Sequence, residues 1–229
     1  MLIIFSLFFI IVFFVVFFKI RQNIQDKKLL ETVTKSYRGT KTERNLVLKL
    51  LKNGIPAQTI FHDLYVKKFN GEFSQIDLVV ATKVGIIVFE VKDYSGWIFG
   101  KGNQSQWTQV LAYGKRKYRF HNPIMQNNGH ITSLRKQLKQ FEKVPFYSII
   151  VFYGDCELKD VSFIPQGTYL TYSERVLNII STILSSNEIT NYTDKFEVIR
   201  VLKEAVQNGE NKETQIKHIK NIRGMLNKG

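Results

Sequence analysis

The chain reads as an α/β domain preceded by one transmembrane helix, and three observations point there. Residues 1–18 are apolar except for Ser6. Two runs rich in β-branched residues, Gln75–Thr82 and Ile86–Lys92, flank a Gly-containing turn at Lys83-Val84-Gly85, the pattern of a hairpin of buried strands. Segments of helical period lie before and after that hairpin.

At about 1.5 Å per residue the N-terminal run covers ~27 Å, enough for the hydrocarbon core of a bilayer. It begins with no Lys or Arg and is followed by no small-residue cleavage site, so an uncleaved anchor is expected in preference to a signal peptide. Lys19, Arg21, Lys27, Lys28, Lys35, Arg38 and Lys41 follow, against Asp26 and Glu31. By the positive-inside rule this places the N-terminus outside and the rest at the cytoplasmic face of a cell membrane, single-pass. Residues 19–38 read as a basic juxtamembrane linker.

The first globular element is a helix opening at Thr40 and Glu43, a capping-box spacing, and stopping at Gly54. Val47 and Leu50 share a stripe with Glu43, which puts that carboxylate on the inward face. A capping-box partner and an acidic group of a site both fit Glu43. Strands are expected over Thr59–Lys68 and in the hairpin, followed by short antiparallel strands around Trp97–Phe99, Trp107–Tyr113 and Tyr118–Phe120. A helix is expected from Asn122 to about Lys143, with Gln126, His130, Leu134 and Leu138 on one inward line. Phe146–Tyr153 is a strongly apolar strand and Thr168–Leu170 a weaker one. Ser173 is placed as the cap of the next helix, more helix is expected over Thr193–Val206, and the tail from Asn208 is basic.

Within the hairpin, Glu90 and Lys92 lie two residues apart and so share a face; Asp77 joins them if the register brings the middle of its strand to the end of the next. Two carboxylates in a low-dielectric setting repel, and each is expensive to bury unpaired. A divalent cation relieves both problems, and oxygen donors suit Mg²⁺ or Mn²⁺. Cys156 is the only cysteine, which argues against a thiolate zinc site and excludes an intrachain disulfide. The strands alone leave an ordinary cross-strand salt bridge open as the alternative.

The formal net charge of +14 lies entirely beyond residue 18 and favours polyanions, either nucleic acid or anionic lipid. Lys115, Arg116, Lys117 and Arg119, beside Tyr113, Tyr118 and Phe120, are candidates for phosphate contact and base stacking, with a solvated hairpin tip as the plain alternative. Gln126 and His130 are candidates for substrate contact or simply hydrogen-bonded core residues. There is no repeat, no phosphate-cradling Gly loop and no CxxC.

Gly39-x-x-x-Glu43, Gln75-x-Asp77, Glu90-x-Lys92, Gly96 followed by Trp107, and Asn122-Pro123-x-x-Gln126-x-x-x-His130 occur in that order. Together, over roughly residues 37–155, they resemble the nuclease-related domain, NERD, a branch of the PD-(D/E)XK (restriction-endonuclease-like) superfamily. The resemblance implies a mixed sheet flanked by helices, with the site where the two carboxylate strands splay. It implies Asp77, Glu90 and Glu43 as ligands of Mg²⁺ or Mn²⁺, Lys92 as the group that activates water, and Gln75 as support for the metal-side geometry. Gln126 matches the glutamine of a Gln-x-x-x-Tyr motif in which His130 takes the tyrosine place, and Ile76 stands where proline often precedes the aspartate. Lys92 is expected to have a lowered pKa beside a metal. The domains expected are the anchor at 1–18, the linker at 19–38, the nuclease-like domain at 39–155, C-terminal strand and helices at 156–207, and the tail at 208–229. The expected function is a membrane-tethered nuclease cutting DNA in preference to RNA; the alternative is a catalytically silent nucleic-acid-binding or membrane-associated scaffold.

Overall fold

A computed structural model describes residues 2–68 and 70–226. Among them nine strands form two sheets: β1 (Ile60–Lys67), β2 (Phe73–Thr82), β3 (Gly85–Asp93), β4 (Gly96–Lys101), β5 (Gln106–Leu111), β6 (Arg116–His121), β7 (Phe146–Tyr153), β8 (Cys156–Ser162) and β9 (Thr168–Tyr172). The β2–β3 hairpin closes through Lys83 and Val84, with Thr82 opposite Gly85 and an antiparallel ladder running back to Leu78 opposite Phe89. The main sheet has the order β1-β2-β3-β7-β9, antiparallel on the β1 side and parallel from β3 onward. It is therefore mixed.

The two faces of the sheet pack on different helices, by strand alternation except at Ile76, whose face switches across the irregular step at Asp63 and Asp77. Leu78, Val80, Ile87 and Phe89 pack with Leu46, Val47 and Leu50 of α2 (Lys41–Lys52) and with Ile180 and Ile183 of the C-terminal helix at Val176–Ser186. On the opposite face Ile76, Val79, Ile86 and Val88 meet Leu134 and Val198, from helices at Pro123–Arg135 and Lys195–Asn208. In chain order these helices are α3 (Pro123–Arg135), α4 (Val176–Ser186), α5 (Lys195–Asn208) and α6 (Lys212–Leu226), after α1 (Leu2–Glu31) and α2.

In place of the single sheet expected, β4, β5, β6 and β8 form a second one, in the order β6-β5-β4-β8. Ile98 and Trp107 turn one of its faces onto Ile124, Ile150 and Phe152, which extends the core sideways from β7. Gly100 permits this packing, since a Cβ there would run into the Trp107 indole. Cys156, expected simply to follow a strand, begins β8 and supplies part of that contact.

Two helix boundaries differ from expectation. α3 stops at Arg135 instead of continuing to Lys143, because Leu138 is extended (φ −150, ψ 128) and a 3₁₀ turn over Lys139–Glu142 brings Phe141 into the core. Arg135 fixes that reversal by donating to the Phe141 carbonyl (2.8 Å) and lying 4.5 Å from the Phe146 ring centroid. Ser173 does not cap α4; it opens a short 3₁₀ turn and donates its hydroxyl to Glu174.

The expected membrane anchor, and the single-pass cell-membrane location built on it, is corrected: among the described residues no helix is long and apolar enough to cross a membrane. Met1 and the side chains of residues 2–10 lie outside what the structure describes. α1 runs without a break across the expected anchor and linker. The far end of α1 belongs to the globular body, with Leu30, and Val33 just beyond the helix, against the α2 core and Asp26 2.6 Å from Lys52.

Candidate functional site

The antiparallel register that pairs Leu78 with Phe89 would set Asp77 opposite Glu90, and there the β2–β3 ladder ends. β2 stays with β1, Ile76 opposite Leu64, while β3 stays with β7, Glu90 beside Ile150 and Lys92 beside Phe152. The strands part at the two carboxylates. Asp77 spans the gap with its side chain, Oδ2 accepting the Val91 N–H at 2.8 Å.

Glu90 is 1% exposed. Its Oε1 lies 2.6 Å from the Lys92 ammonium, which also donates to Gln126 Oε1 on α3 at 3.1 Å. Its Oε2 faces His130 Nε2 at 3.3 Å, and His130 Nδ1 is held by the Ser74 hydroxyl at 2.8 Å. Gln126 and His130, one helical turn apart, thus meet Glu90 and Lys92 from the same helix.

Glu43 reaches the site from the other face of the sheet. Thr40 caps α2 by accepting the Glu43 N–H at 3.3 Å, and its hydroxyl donates to Glu43 Oε1 at 2.7 Å. The capping reading and the inward-facing reading therefore hold together. Glu43 Oε2 faces His62 Nε2 at 3.4 Å, and His62 Nδ1 meets the Thr34 hydroxyl at 2.8 Å. Both glutamates are thus built alike: one oxygen is engaged, and the other faces an imidazole whose far nitrogen is tied to a hydroxyl. Glu43 Oε2, Glu90 Oε2 and both Nε2 atoms are buried without a hydrogen-bond partner.

Burial, with the Glu90 and then the Glu43 carboxylates near it, holds the Asp77 carboxyl well above its ordinary range, against the Val91 N–H and Lys92. Burial would also raise Glu43, but the facing His62 and the Thr40 hydroxyl leave it below its ordinary value. Lys92 departs from expectation. Burial works to lower it, yet Glu90 outweighs burial and the ammonium is raised.

The donor set is chemically suited to a hard divalent cation: carboxylate oxygens, two of them orphaned, around a repelling Asp77. As the side chains stand, no three His, Cys, Asp or Glu among the described residues are gathered tightly enough to hold a metal ion.

No described hydrogen bond joins Gln75 to Asp77; Gln75 donates to Asp63 Oδ1 at 2.8 Å. Asp63 in turn takes the Arg38 guanidinium on Oδ2 at 2.7 Å. Lys115, Arg116, Lys117 and Arg119 stand exposed in the second sheet and its turn, and no described hydrogen bond or ion pair joins them to the carboxylates. His62, Asp63, Arg38 and Ser74 were not singled out from sequence. A His-Asp pair in an otherwise apolar strand was the one available signal.

Gly39 lies at φ +56, and a Cβ on it would collide with Glu43 Oε2 and the His62 ring. Gly39→Ala is expected to cost about 1–3 kcal/mol through backbone strain and to displace Glu43. Chemical denaturation measures the first, and a cost within about 0.5 kcal/mol of zero would contradict it.

A family model described as NERD, nuclease-related domain, matches residues 38–153. An uncharacterized protein of Bacillus anthracis is 31% identical over 133 residues, 58% of this chain and 61% of that protein, so the chain spans less than two thirds of that relative's length. No solved structure matches. With half of its length under the family model, the chain belongs to the nuclease-related domain family.

Proposed function

We propose that the chain is a divalent-metal-dependent nuclease that hydrolyses phosphodiester bonds of DNA in preference to RNA. The observation that carries this reading is the β2–β3 joint, where Asp77 and Glu90 meet beyond the end of the ladder with Lys92 on the Glu90 carboxylate. Asp77, Glu90 and Glu43 would hold Mg²⁺ or Mn²⁺, which supplies polarisation of the phosphoryl oxygen and stabilisation of the leaving oxygen. Asp77 keeps one oxygen fixed on the Val91 N–H, so its other oxygen is oriented without a side-chain partner of its own. Lys92, a cation pinned between Glu90 and Gln126, orients the attacking water and donates toward the phosphate. The +14 charge draws the polyanion in through counterion release.

A second reading, a catalytically silent nucleic-acid-binding module, draws on the looseness of the ligand set as it stands. One experiment separates the two: the purified chain is offered linear, circular and single-stranded DNA and RNA with Mg²⁺, Mn²⁺ or EDTA, beside Asp77→Ala and Glu90→Ala. Metal-dependent cleavage by the parent and by neither variant supports the nuclease. Binding without cleavage in every condition, equal in the variants, favours the silent module. Lys92→Ala is expected to slow cleavage by about 10²–10⁴-fold while DNA affinity in EDTA changes little. Full activity would remove Lys92 from the mechanism.

A further inference from the structure

The second sheet turns Ile98, Trp107 and Val161 toward the core, and strand alternation therefore points Trp97 and Phe99 of β4 the other way. Neither ring belongs to any hydrophobic cluster among the described residues. The register sets Val110 opposite Trp97 and Lys117 opposite Val110; one row along, it sets Thr108 opposite Phe99 and Arg119 opposite Thr108. Each row thus runs ring, small side chain, cation across three strands. The residues of the two rows line an open groove of about 730 Å³.

We propose that this face binds a single-stranded nucleic acid, its bases stacked on Trp97 and Phe99 and its phosphates on Lys117 and Arg119. Neighbouring strands lie about 4.8 Å apart, so each cation stands roughly 10 Å across the sheet from the ring in its row. Along β4 the rings are two residues apart, about 6.8 Å. That is twice the ~3.4 Å rise per residue of a duplex strand, so successive bases reach the two rings only when unstacked, which a single strand allows and a duplex resists. The opposite edge carries Glu157 and Asp160, in register with Trp97 and Phe99. Lys159 lies 5.5 Å from the Trp97 ring centroid and 2.7 Å from Glu157. With Glu157 paired to Lys159, Asp160 still leaves the β8 edge net negative while the β6 edge is purely basic, so the backbone is assigned to the β6 side. Alternation also divides the basic tip: Lys117 and Arg119 face the groove, while Arg116 points to the other side with Tyr118 and Phe120.

The choice of polymer rests on the nuclease-related reading, but the binding is testable without it. The chain has two tryptophans, and Trp107 is 1% exposed with its indole N–H on the Lys101 carbonyl, so quenching by stacked bases reports Trp97. In EDTA, a thymidine oligonucleotide of about 10 nucleotides is titrated into the full chain, with a uridine oligonucleotide and a DNA hairpin duplex in parallel. Both single strands are expected to quench, and the duplex to bind about tenfold more weakly or worse. Phe99→Ala should weaken single-strand binding about tenfold, the loss of one base stack. Lys117→Gln with Arg119→Gln should reduce the slope of log K against log salt by about 1.4. Duplex binding as tight as single-strand binding, or affinity and salt slope unmoved by both changes, would overturn the platform. Cleavage that persists alongside either of those results would leave the nuclease standing without the platform. Quenching with no metal-dependent cleavage would do the reverse.

Discussion

Asp77→Asn is expected to slow metal-dependent cleavage at least about a hundredfold and, at neutral pH, to make the fold more stable. The second effect follows from the first residue's predicament. Burial and the Glu90 and Glu43 carboxylates raise the Asp77 pKa, so the folded chain holds a proton that the unfolded chain has lost. Stability therefore falls as pH rises from the unfolded value, near 3.9, through the raised folded value, and the penalty is complete above it. Asparagine keeps an oxygen for the Val91 N–H and carries no charge. A gain of about 1 kcal/mol would lift Tm by roughly 2–4 °C in a chain of this size. The gain should shrink as pH falls through the folded value and vanish below about 4. Mg²⁺ should raise the Tm of the parent and not of the variant, because only a cation bound to the folded state stabilises it. Calorimetry at both pH values, with and without Mg²⁺, measures all three. A variant less stable than the parent at pH 7 would mean that Asp77 is held by attraction, not repulsion.

The carboxylate pair was legible because hairpin geometry is local. A two-residue turn and an antiparallel register leave little freedom in what stands opposite Asp77, and β-branched residues on both strands announced that the pair would be enclosed. Glu43 was legible for a similar reason, the helical spacing to Val47 and Leu50. The groups that finish the site were not. Thr34 and Ser74 reach their histidines across 28 and 56 residues of chain, and no local period encodes such contacts. The raised Lys92 pKa depended on the distance to Glu90, which alternation places on the same face without fixing at 2.6 Å. The second sheet escaped notice because β8 is a polar, half-exposed strand, Cys156-Glu-Leu-Lys-Asp-Val-Ser162, with no apolar run to mark it. The membrane expectation rested on residues 1–18, of which Met1 and the side chains of residues 2–10 lie outside what the structure describes, and no described helix is long and apolar enough to span a bilayer.

Arg38 shows the same limit most sharply, and Arg38→Met is expected to destabilise the fold by roughly 3–5 kcal/mol. Charge counting placed Arg38 in a solvated linker, yet it is 3% exposed. Its guanidinium donates to Asp63 Oδ2 at 2.7 Å, to the Asp63 carbonyl at 2.5 Å and to the Val206 carbonyl near the end of α5 at 3.2 Å. Asp63 sits at φ +54, between His62 opposite Leu78 and Leu64 opposite Ile76, so by register it stands beside Asp77. A regular strand there would add a third carboxylate to the Asp77–Glu90 row. The left-handed backbone, with Arg38 and Gln75 as its partners, turns that charge aside. Removing Arg38 leaves a buried carboxylate with a single neutral donor, which is far worse than removing both charges. Asparagine tolerates left-handed backbone better than other residues and keeps an oxygen for Gln75, so Arg38→Met with Asp63→Asn should regain most of the stability that the single change loses. Denaturant unfolding of the parent, both single variants and the double variant gives the coupling directly. A single-variant loss below about 1 kcal/mol, or no recovery in the double variant, would mean that Asp63 is held by its backbone alone.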